Sequence, residues 1–513
     1  MTAPVSPMTF PAHPILTCDA AGAFEQTLFG GDEAREWTAM QTAGRAVADA
    51  VLDDYEEIGG FPPTGRVLVL AGKGHNGGDA LLATQAILKK FPAASAEVVF
   101  GFGERPLRPL AARAWRELAL FAGSRVTVGD AGSPSALPYD LVLDGVFGFQ
   151  FRPPLDPATA ALLARVNALP VRLRAAVDLP SGLGVPDAFH ADFTYATGIV
   201  KAPLLTLPNA GRVRYLDLGF FDTAGAAEAG REPPAAEDNF VLTGGVLAPL
   251  RRLRSPHTDK RSHGHLIVMG GSRQYPGAVL MSVQAALRSG AGLVTAFVPE
   301  PLVAAFAACV PEAMWNGCPI TKAGGLAKEV RELLRPYTGR ATAWLLGPGL
   351  GREPETLELL RDVIIAAEAP LVLDADALQP DLVRAGKMPR VLTPHAGELA
   401  RIADGHDVHS LSEIAKAVIV AKGPVTHITS DRTTWHSFFG GPVLARGGSG
   451  DVLAGLIGGL AAQTPGDLPG AAARGVVWQG RAADLLARAH GQVAVTTTQL
   501  LDFLPSALRK EAS

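Results

Sequence analysis

"RVLVLAGKGHNGGDALLATQAILKKF" (Arg66–Phe91) decides the fold class of this 513-residue chain. After Arg66 comes a continuous apolar run, the pattern of a strand buried on both faces. A glycine-rich turn follows, and then apolar residues at helical spacing. Strand, glycine turn and helix open a βαβ unit, and the chain repeats the theme. "AEVVFGF" (Ala96–Phe102), "DLVLDGVFG" (Asp140–Gly148) and "RAAVDLPSG" (Arg174–Gly182) read as further buried parallel strands. A helical pattern, "TAALLARVNAL" (Thr159–Leu169), lies between the last two. The expected product is a Rossmann-like, doubly wound α/β domain.

The pattern lapses at "DTAGAAEAGREPPAAEDN" (Asp222–Asn239), which is small, polar and proline-containing. It reads as a linker. A second α/β series starts at "GHLIVMGGS" (Gly264–Ser272) and runs through "AGLVTAFVP" (Ala291–Pro299), "TAWLLGPGLG" (Thr342–Gly351), "APLVLDADAL" (Ala369–Leu378), "PRVLTPHAGE" (Pro389–Glu398) and "PVTHITS" (Pro424–Ser430). The expected division is a first domain over 1–222, a linker over 223–245 and a second domain over 246–513.

Bulk properties exclude several classes. Hydrophobic residues make up 48% and charged residues 19%, enough for large cores and against global disorder. A formal net charge of −4 offers no general basic face for nucleic acid. The three cysteines, Cys18, Cys309 and Cys318, form no CxxC pair, so reduced thiols in the cytoplasm are expected. The opening "MTAPVSPMTFPAHPILT" lacks the charge and apolar blocks of a secretory signal, and no 18-residue apolar run suggests a membrane span.

Candidate chemistry sits at the predicted strand ends, where open parallel sheets bind ligands. In the first domain "GKGHNGGDA" (Gly72–Ala80) brings backbone amides and a helix N-terminus to bear on an anion; it is neither GxGxxG nor a P-loop. Asn76, Asp144, Asp178 and Ser181 stand in successive loops and are expected to converge. Each alone would more often be a cap or turn residue. In the second domain the turns are "GGSRQYPGA" (Gly270–Ala278), "GPGLG" (Gly347–Gly351), "LDADAL" (Leu373–Leu378), "TPHAGE" (Thr393–Glu398) and "GGSGD" (Gly447–Asp451). His395 alone would more often be a satisfied loop histidine than a catalyst. The order of five such turns is what carries the reading.

On these residues the chain resembles the bifunctional NAD(P)H-hydrate repair enzymes. The first domain resembles their epimerase domain from about Ile15 to Gly219, through "ILT" (Ile15–Thr17), "AGRAVA" (Ala43–Ala48), "GKGHNGGD", "LDGVFG" and "VDLPSG". The resemblance implies interconversion of the R and S hydrates of NADH and NADPH at C6 of the nicotinamide ring. It implies that Asn76, Asp144 and Ser181 hold a potassium ion and that Asp178 faces the hydrated ring. It also implies that His75, Asn76, Gly77, Gly78 and Asp79 cradle cofactor phosphates, with Gly148 at the substrate. The chain departs from the family pattern at His75 (usually Asn), at Ala80 (usually Gly), at "MQTAG" (usually "MENAG"), at "FGFQF" (usually "FGTGL") and in the turn after "PSG".

From about Val246 to Leu504 the chain resembles the ribokinase-like ADP- or ATP-dependent hydrate dehydratases. "HTDKRSHGHLIVMGGSRQYPGA" (His257–Ala278), "AALRSGAGLVT" (Ala285–Thr295), "GPGLG", "LDADAL", "LTPHAGE" and "GGSGDVLAG" carry this likeness. It implies that Asp451 is the base toward the C6 hydroxyl. The amides of Gly447, Gly448, Ser449 and Gly450 would stabilise the transferring phosphoryl group, and Lys422 and Gly423 would contact the nucleotide. Ala278, Gly349, Gly351 and His395 would contact the hydrate. Magnesium is expected with ADP or ATP, near Asp374, Asp376 and Glu398, and ADP is the donor favoured among bacterial members. Arg446 replaces the usual Thr; pairing with phosphate and pointing to solvent remain equal readings. The resemblance further implies small-molecule partners only, a cytoplasmic setting and a homo-oligomer. Two other readings stay open: a dehydratase whose first domain only binds a ligand or partner, and a ribokinase-like kinase of a small alcohol.

Overall fold

The computed structural model describes residues 11–104, 106–130, 138–222 and 238–509. Most of the linker reading (223–237) and the start of the leader reading (1–10) fall outside the described residues. The chain divides into two compact units, one formed by His13–Val241 with Ala487–Gln492, the other centred on Leu242–Leu486 with the segment from Val493 onward.

In the first unit, after the short β1 (Ala12–Pro14), seven strands form one sheet: β2 (Arg66–Ala71), β3 (Ser95–Phe100), β4 (Val126–Val128), β5 (Tyr139–Gly145), β6 (Val171–Val177), β7 (Phe193–Thr197) and β8 (Arg212–Leu216). Their order is β4-β3-β2-β5-β6-β7-β8, and every pairing is parallel. The order reverses at β2, so the crevice for a ligand opens beyond the ends of β2 and β5. Both faces are buried because side chains alternate. Val67, Val69, Leu141 and Leu143 join the core beneath the Glu33–Tyr55 and His75–Lys90 helices. Leu68, Leu70 and Val142 join the core against Leu162, Leu163 and Val166 of the Pro157–Ala168 helix. This is the doubly wound α/β arrangement.

The second unit follows β9 (Asn239–Leu242) with β10 (His265–Met269), β11 (Leu293–Pro299), β12 (Met314–Cys318), β13 (Ala343–Leu346), β14 (Leu371–Leu373), β15 (Arg390–Leu392), β16 (Ala417–Ala421), β17 (Thr426–Ser430) and β18 (Thr433–Ser437). Within the unit the sheet runs β18-β17-β16-β15-β14-β13-β10-β11-β12. The strands from β12 to β16 pair in parallel, and β16, β17 and β18 form an antiparallel edge. The order again reverses, here at β10. Against this sheet lies the Ser449–Gln463 helix, buried continuously from Val452 to Ala462. Gly455 and Gly459 let it press onto the Pro276–Arg288 helix: a Cβ at either would collide with Ser282 O or Ser289 Oγ. Among the described residues no helix is long and apolar enough to cross a membrane.

Candidate functional site

In the first unit the β2–helix turn does what its glycines require sterically. A Cβ at Gly77 would collide with Gly72 O, and one at Gly78 would sit 2.6 Å from Met40 Sδ. Gly77 serves the close packing of helix on strand end and Gly78 the packing against the Glu33–Tyr55 helix, and an anion in this turn would meet backbone N–H groups. The helix starts at His75 with Gly74 as its cap and no capping side chain. Its first-turn amides therefore lack side-chain acceptors. His75 is exposed, 3.5 Å from Glu36 Oε2; burial lowers its basicity against the pull of Glu36.

Asn76, Asp144 and Ser181 are linked through the backbone of Phe147. Asn76 Nδ2 donates to Phe147 O (2.7 Å), and Phe147 N donates to Ser181 Oγ (2.9 Å). Ser181 Oγ and N in turn donate to Asp144 Oδ1 (2.6 Å) and Oδ2 (2.7 Å). A Cβ at Gly148 would lie 3.6 Å from Asn76 Cγ, so Gly148 lies beside the same cluster. Asp144 is fully buried, and burial raises its carboxyl to about 6 despite those hydrogen bonds. No ion pair joins it to a cationic side chain among the described residues. The donors are an amide, a carboxylate and a hydroxyl, all hard oxygens of the kind a potassium ion takes.

Asp178 faces a different partner. It occupies a left-handed backbone conformation (φ 65°), and its Oδ1 accepts from Lys201 Nζ at 2.5 Å. The pair is inside the protein, Lys201 1% and Asp178 4% exposed. Asp79, three residues past Asn76, is turned inward. Burial first, then Asp178 and Glu25, push its carboxyl well above the usual range, with Lys201 opposing. Its Oδ1 has no hydrogen-bond partner. Glu25, from the Cys18–Phe29 helix, is raised to about 7 by burial and Asp178, again with Lys201 opposing. Glu25, Asp79, His75, Met40, Thr197 and Phe220 line one pocket. Sequence reading missed Lys201 and Glu25, since neither stands in a glycine-rich turn. The one available signal was a lysine inside the otherwise apolar "GIVKAPLL" (Gly198–Leu205).

In the second unit Asp451 lies in the first turn of the Ser449–Gln463 helix, behind a cap at Gly448 (φ 91°). The loop before it is tied down from outside. Ser449 Oγ donates to Leu444 O (2.7 Å), Thr497 Oγ1 donates to Gly447 O (2.8 Å), and Gln479 Nε2 donates to Ser449 O (2.7 Å). Arg446 Nη2 donates to Val493 O (2.9 Å), so this guanidinium braces the loop through the later chain, an outcome neither sequence reading contained. A Cβ at Gly447 would meet nothing within 4 Å. The fold does not need glycine there, which leaves room for a ligand at the backbone.

Around Asp451 the strand ends supply charge. Lys422 Nζ pairs with the buried Asp374 (3.1 Å), which also accepts from Thr393 Oγ1 (2.7 Å). Burial works against the Lys422 charge, but Asp374, Glu398 and Asp451 carry its pKa upward. Burial, then Asp374, raises Asp451 to about 7, with Lys422 pulling the other way. A Cβ at Gly450 would lie 3.0 Å from Lys422 Nζ, so the loop and the lysine are neighbours. Gly423, next along, is exposed. Gly349 (φ 65°) packs where a Cβ would stand 3.0 Å from Ala278 Cβ, bringing those two positions together. Gly351 N donates to Asp376 Oδ2 (2.9 Å), and Arg352 holds Asp376 Oδ1 (2.9 Å). His395 caps the Ala396–Ala403 helix: its Nδ1 accepts from Gly397 N (3.0 Å), while Glu398 Oε2 accepts from His395 N (2.9 Å). That cap fixes the ring, whose side chain is largely exposed and whose Nε2 lies 3.5 Å from Oε1 of the buried Glu398.

A carboxylate in the first turn of a helix, behind a pinned glycine loop and beside a Lys–Asp pair whose aspartate is buried, is a layout suited to an α/β enzyme of the phosphoryl-transfer class. It is joined in one chain to a second α/β unit holding a buried acid–base cluster. Residues 266–506 match the NAD(P)H-hydrate dehydratase family, and residues 38–202 match the YjeF-related protein N-terminus. The bifunctional NAD(P)H-hydrate repair enzyme of Gloeobacter violaceus is 36% identical over 490 residues, covering 91% of this chain and 92% of the relative. Its counterpart from Moorella thermoacetica is 32% identical over 507 residues, covering 92% of each. Among solved structures, the ADP/ATP-dependent NAD(P)H-hydrate dehydratase of Bacillus subtilis, co-crystallised with ATP and Mg²⁺, is 25% identical. It covers 51% of this chain and 95% of its own, with a TM-score of 0.43. The chain belongs to the family of bifunctional NAD(P)H-hydrate repair enzymes.

Proposed function

We propose that the second unit removes water from the S hydrate of NADH or NADPH at the expense of ADP or ATP, with Asp451 as the base. The observation that carries this is the placement of Asp451, its carboxyl raised to about 7, in the turn that presents the Gly447–Gly450 amides. Asp451 takes the proton of the C6 hydroxyl as that oxygen attacks the terminal phosphorus of the nucleotide. The bond from phosphorus to the leaving diphosphate or monophosphate breaks. First-turn amides and Lys422 receive the charge that accumulates on the phosphoryl oxygens. The C6–O bond then breaks with departure of phosphate, and loss of a C5 proton restores the dihydropyridine. Ala278, Gly349, Gly351 and His395 border the space for the hydrate, and Lys422 and Gly423 the space for the nucleotide.

Asp374, Asp376 and Glu398 are each committed to hydrogen-bond partners, and no group of three His, Cys, Asp or Glu side chains suits a metal among the described residues. Magnesium therefore suits this site as a complex with the nucleotide phosphates, neutralising their charge. In the first unit Asn76, Asp144 and Ser181 would hold potassium, which supplies positive charge to substrate oxygens. Asp178 would face the ring, and the turn from His75 to Asp79 the phosphates, so that R and S hydrates interconvert. A cytoplasmic setting agrees with three cysteines free of disulfides. The test is to give the protein purified R and S hydrates with ADP or ATP and magnesium, and to follow reduced-nicotinamide absorbance. Consumption of both isomers is the expected result. Consumption of S alone removes the epimerase assignment, and consumption of neither removes the proposal.

A further inference from the structure

We propose that Glu25 is the second proton-transfer group of the epimerising site, acting opposite the Asp178–Lys201 pair. This rests on the epimerase reading above. Three independent features place it. Glu25 lines the pocket that also contains Asp79, His75 and Thr197, and Thr197 hydrogen-bonds Asp178. Lys201 is committed to Asp178 at 2.5 Å, with its ammonium 5.5 Å from the centre of the Phe149 ring. Asp79, buried at the same pocket, keeps an oxygen with no hydrogen-bond partner, so the pocket holds unspent polar capacity that a ligand would use.

Inversion at C6 needs two groups. The carbon carries a hydroxyl and the ring nitrogen N1, and no proton is lost overall. A base takes the hydroxyl proton, the C6–N1 electron pair moves to nitrogen, and N1 receives a proton from an acid. The product is an open-chain aldehyde. Rotation about C5–C6 presents the other face, and closure reverses each transfer, so the base returns as acid and the acid as base. One carboxyl must arrive ionised and the other protonated at the same pH. Asp178, held against the Lys201 ammonium, takes the part of the base. Glu25 has no hydrogen bond or ion pair among the described residues and is raised to about 7, so it carries a proton for part of the population at neutrality. The groups facing Glu25 are Lys201, Asp178 and Asp79, with Glu36 and His75 also on the pocket wall.

The experiment follows conversion of purified R hydrate into S by chromatography, using the full chain with potassium and no nucleotide, after subtracting the uncatalysed rate. Glu25→Gln is expected to lower kcat about 100-fold, with KM changed less than about threefold. The limb of the kcat–pH profile near 7 should disappear in that variant. Glu25→Asp should restore part of the rate and the limb. Calorimetric unfolding of each variant, compared with that of the wild type, reports that the unit carrying Glu25 is folded, and dehydration of the S hydrate with nucleotide reports the same for the second unit. The proposal is overturned if Glu25→Gln keeps the wild-type rate and limb, or if KM rises while kcat stays. If the wild-type chain itself interconverts nothing, the epimerase reading falls and this proposal with it.

Discussion

Lys201→Met isolates the energetics of the buried ion pair. Methionine has similar bulk and fits an apolar lining, so the main loss is the charge. Asp178, 4% exposed, would keep only Thr197 N at 3.4 Å and Thr197 Oγ1 at 3.3 Å, both long contacts. Asp79 and Glu25 lie near enough to repel it. Breaking one side of a buried pair costs about 3–5 kcal/mol, and this pair has little to fall back on. For a unit of this size, about 2–4 °C is lost per kcal/mol, so its melting temperature should fall by about 6–20 °C. Each unit has its own readout after graded heat pulses: limited proteolysis followed by mass spectrometry, with peptides from residues 66–216 reporting the first and peptides from residues 265–463 the second. Adding Asp178→Asn to Lys201→Met removes the stranded charge, and asparagine tolerates the left-handed backbone at that position. The double variant should regain more than half the lost stability. A Lys201→Met loss below about 1 kcal/mol, or a double variant no better than the single one, refutes the reasoning.

Asp451→Asn should cut S-hydrate dehydration by about 10²–10⁴-fold while nucleotide binding, followed by calorimetry, changes little. Because the base works unprotonated and its carboxyl is raised to about 7, wild-type dehydration should fall as pH drops through 7. At pH 6 it should run at about a tenth of its alkaline plateau; a flat profile from 6 to 8 removes Asp451 as the base. Gly447→Ala should leave stability within about 0.5 kcal/mol, since its Cβ meets no protein atom, yet raise the KM for nucleotide at least about tenfold. Gly77→Ala should do the opposite first, destabilising its unit by about 1–3 kcal/mol through the clash with Gly72 O, as thermal unfolding would show. Asp144→Asn should weaken potassium activation of R-to-S conversion in a salt titration, because it removes the one formal charge among the three oxygen donors.

The architecture was legible at most strands where burial leaves an unbroken apolar signature, although β16, "AVIVA" (Ala417–Ala421), carries one and was passed over. The runs at β2, β3, β5, β6, β10, β11, β13, β14 and β15 were read as strands because both of their faces are covered. β12, with Asn316 and Gly317 in its middle and partly exposed sides, carries no such run. β7, "FTYAT" (Phe193–Thr197), is entirely buried yet mixes threonines among its apolar residues, which hides it from a hydropathy reading. Glycine proved ambiguous for a physical reason: one letter serves ligand approach at Gly447, helix-on-strand contact at Gly77 and helix crossing at Gly455. Only the surrounding atoms separate these uses. Glu25 gave no sequence signal and Lys201 only that of a lysine in an apolar run, because their importance arises from partners elsewhere along the chain.

The Ser449–Gln463 helix also says when the cost of ordering the second site is met. Its far side is core, its near end carries Asp451, and Gly455 and Gly459 seat it closely on the neighbouring helix. The donors are organised as the unit folds, so an arriving phosphate finds them in place and gives up little entropy to align them. Hydrogen exchange at the Val452 amide, which donates to Gly448 O, should already be slow in the empty enzyme, while exchange at the Gly450 and Asp451 amides should slow only when a phosphate occupies them. Distance then offers little protection. Gly459 lies eight residues from Asp451, about 12 Å along the helix, yet a side chain there would tilt the whole platform. A packing defect at that depth would be felt as lost turnover.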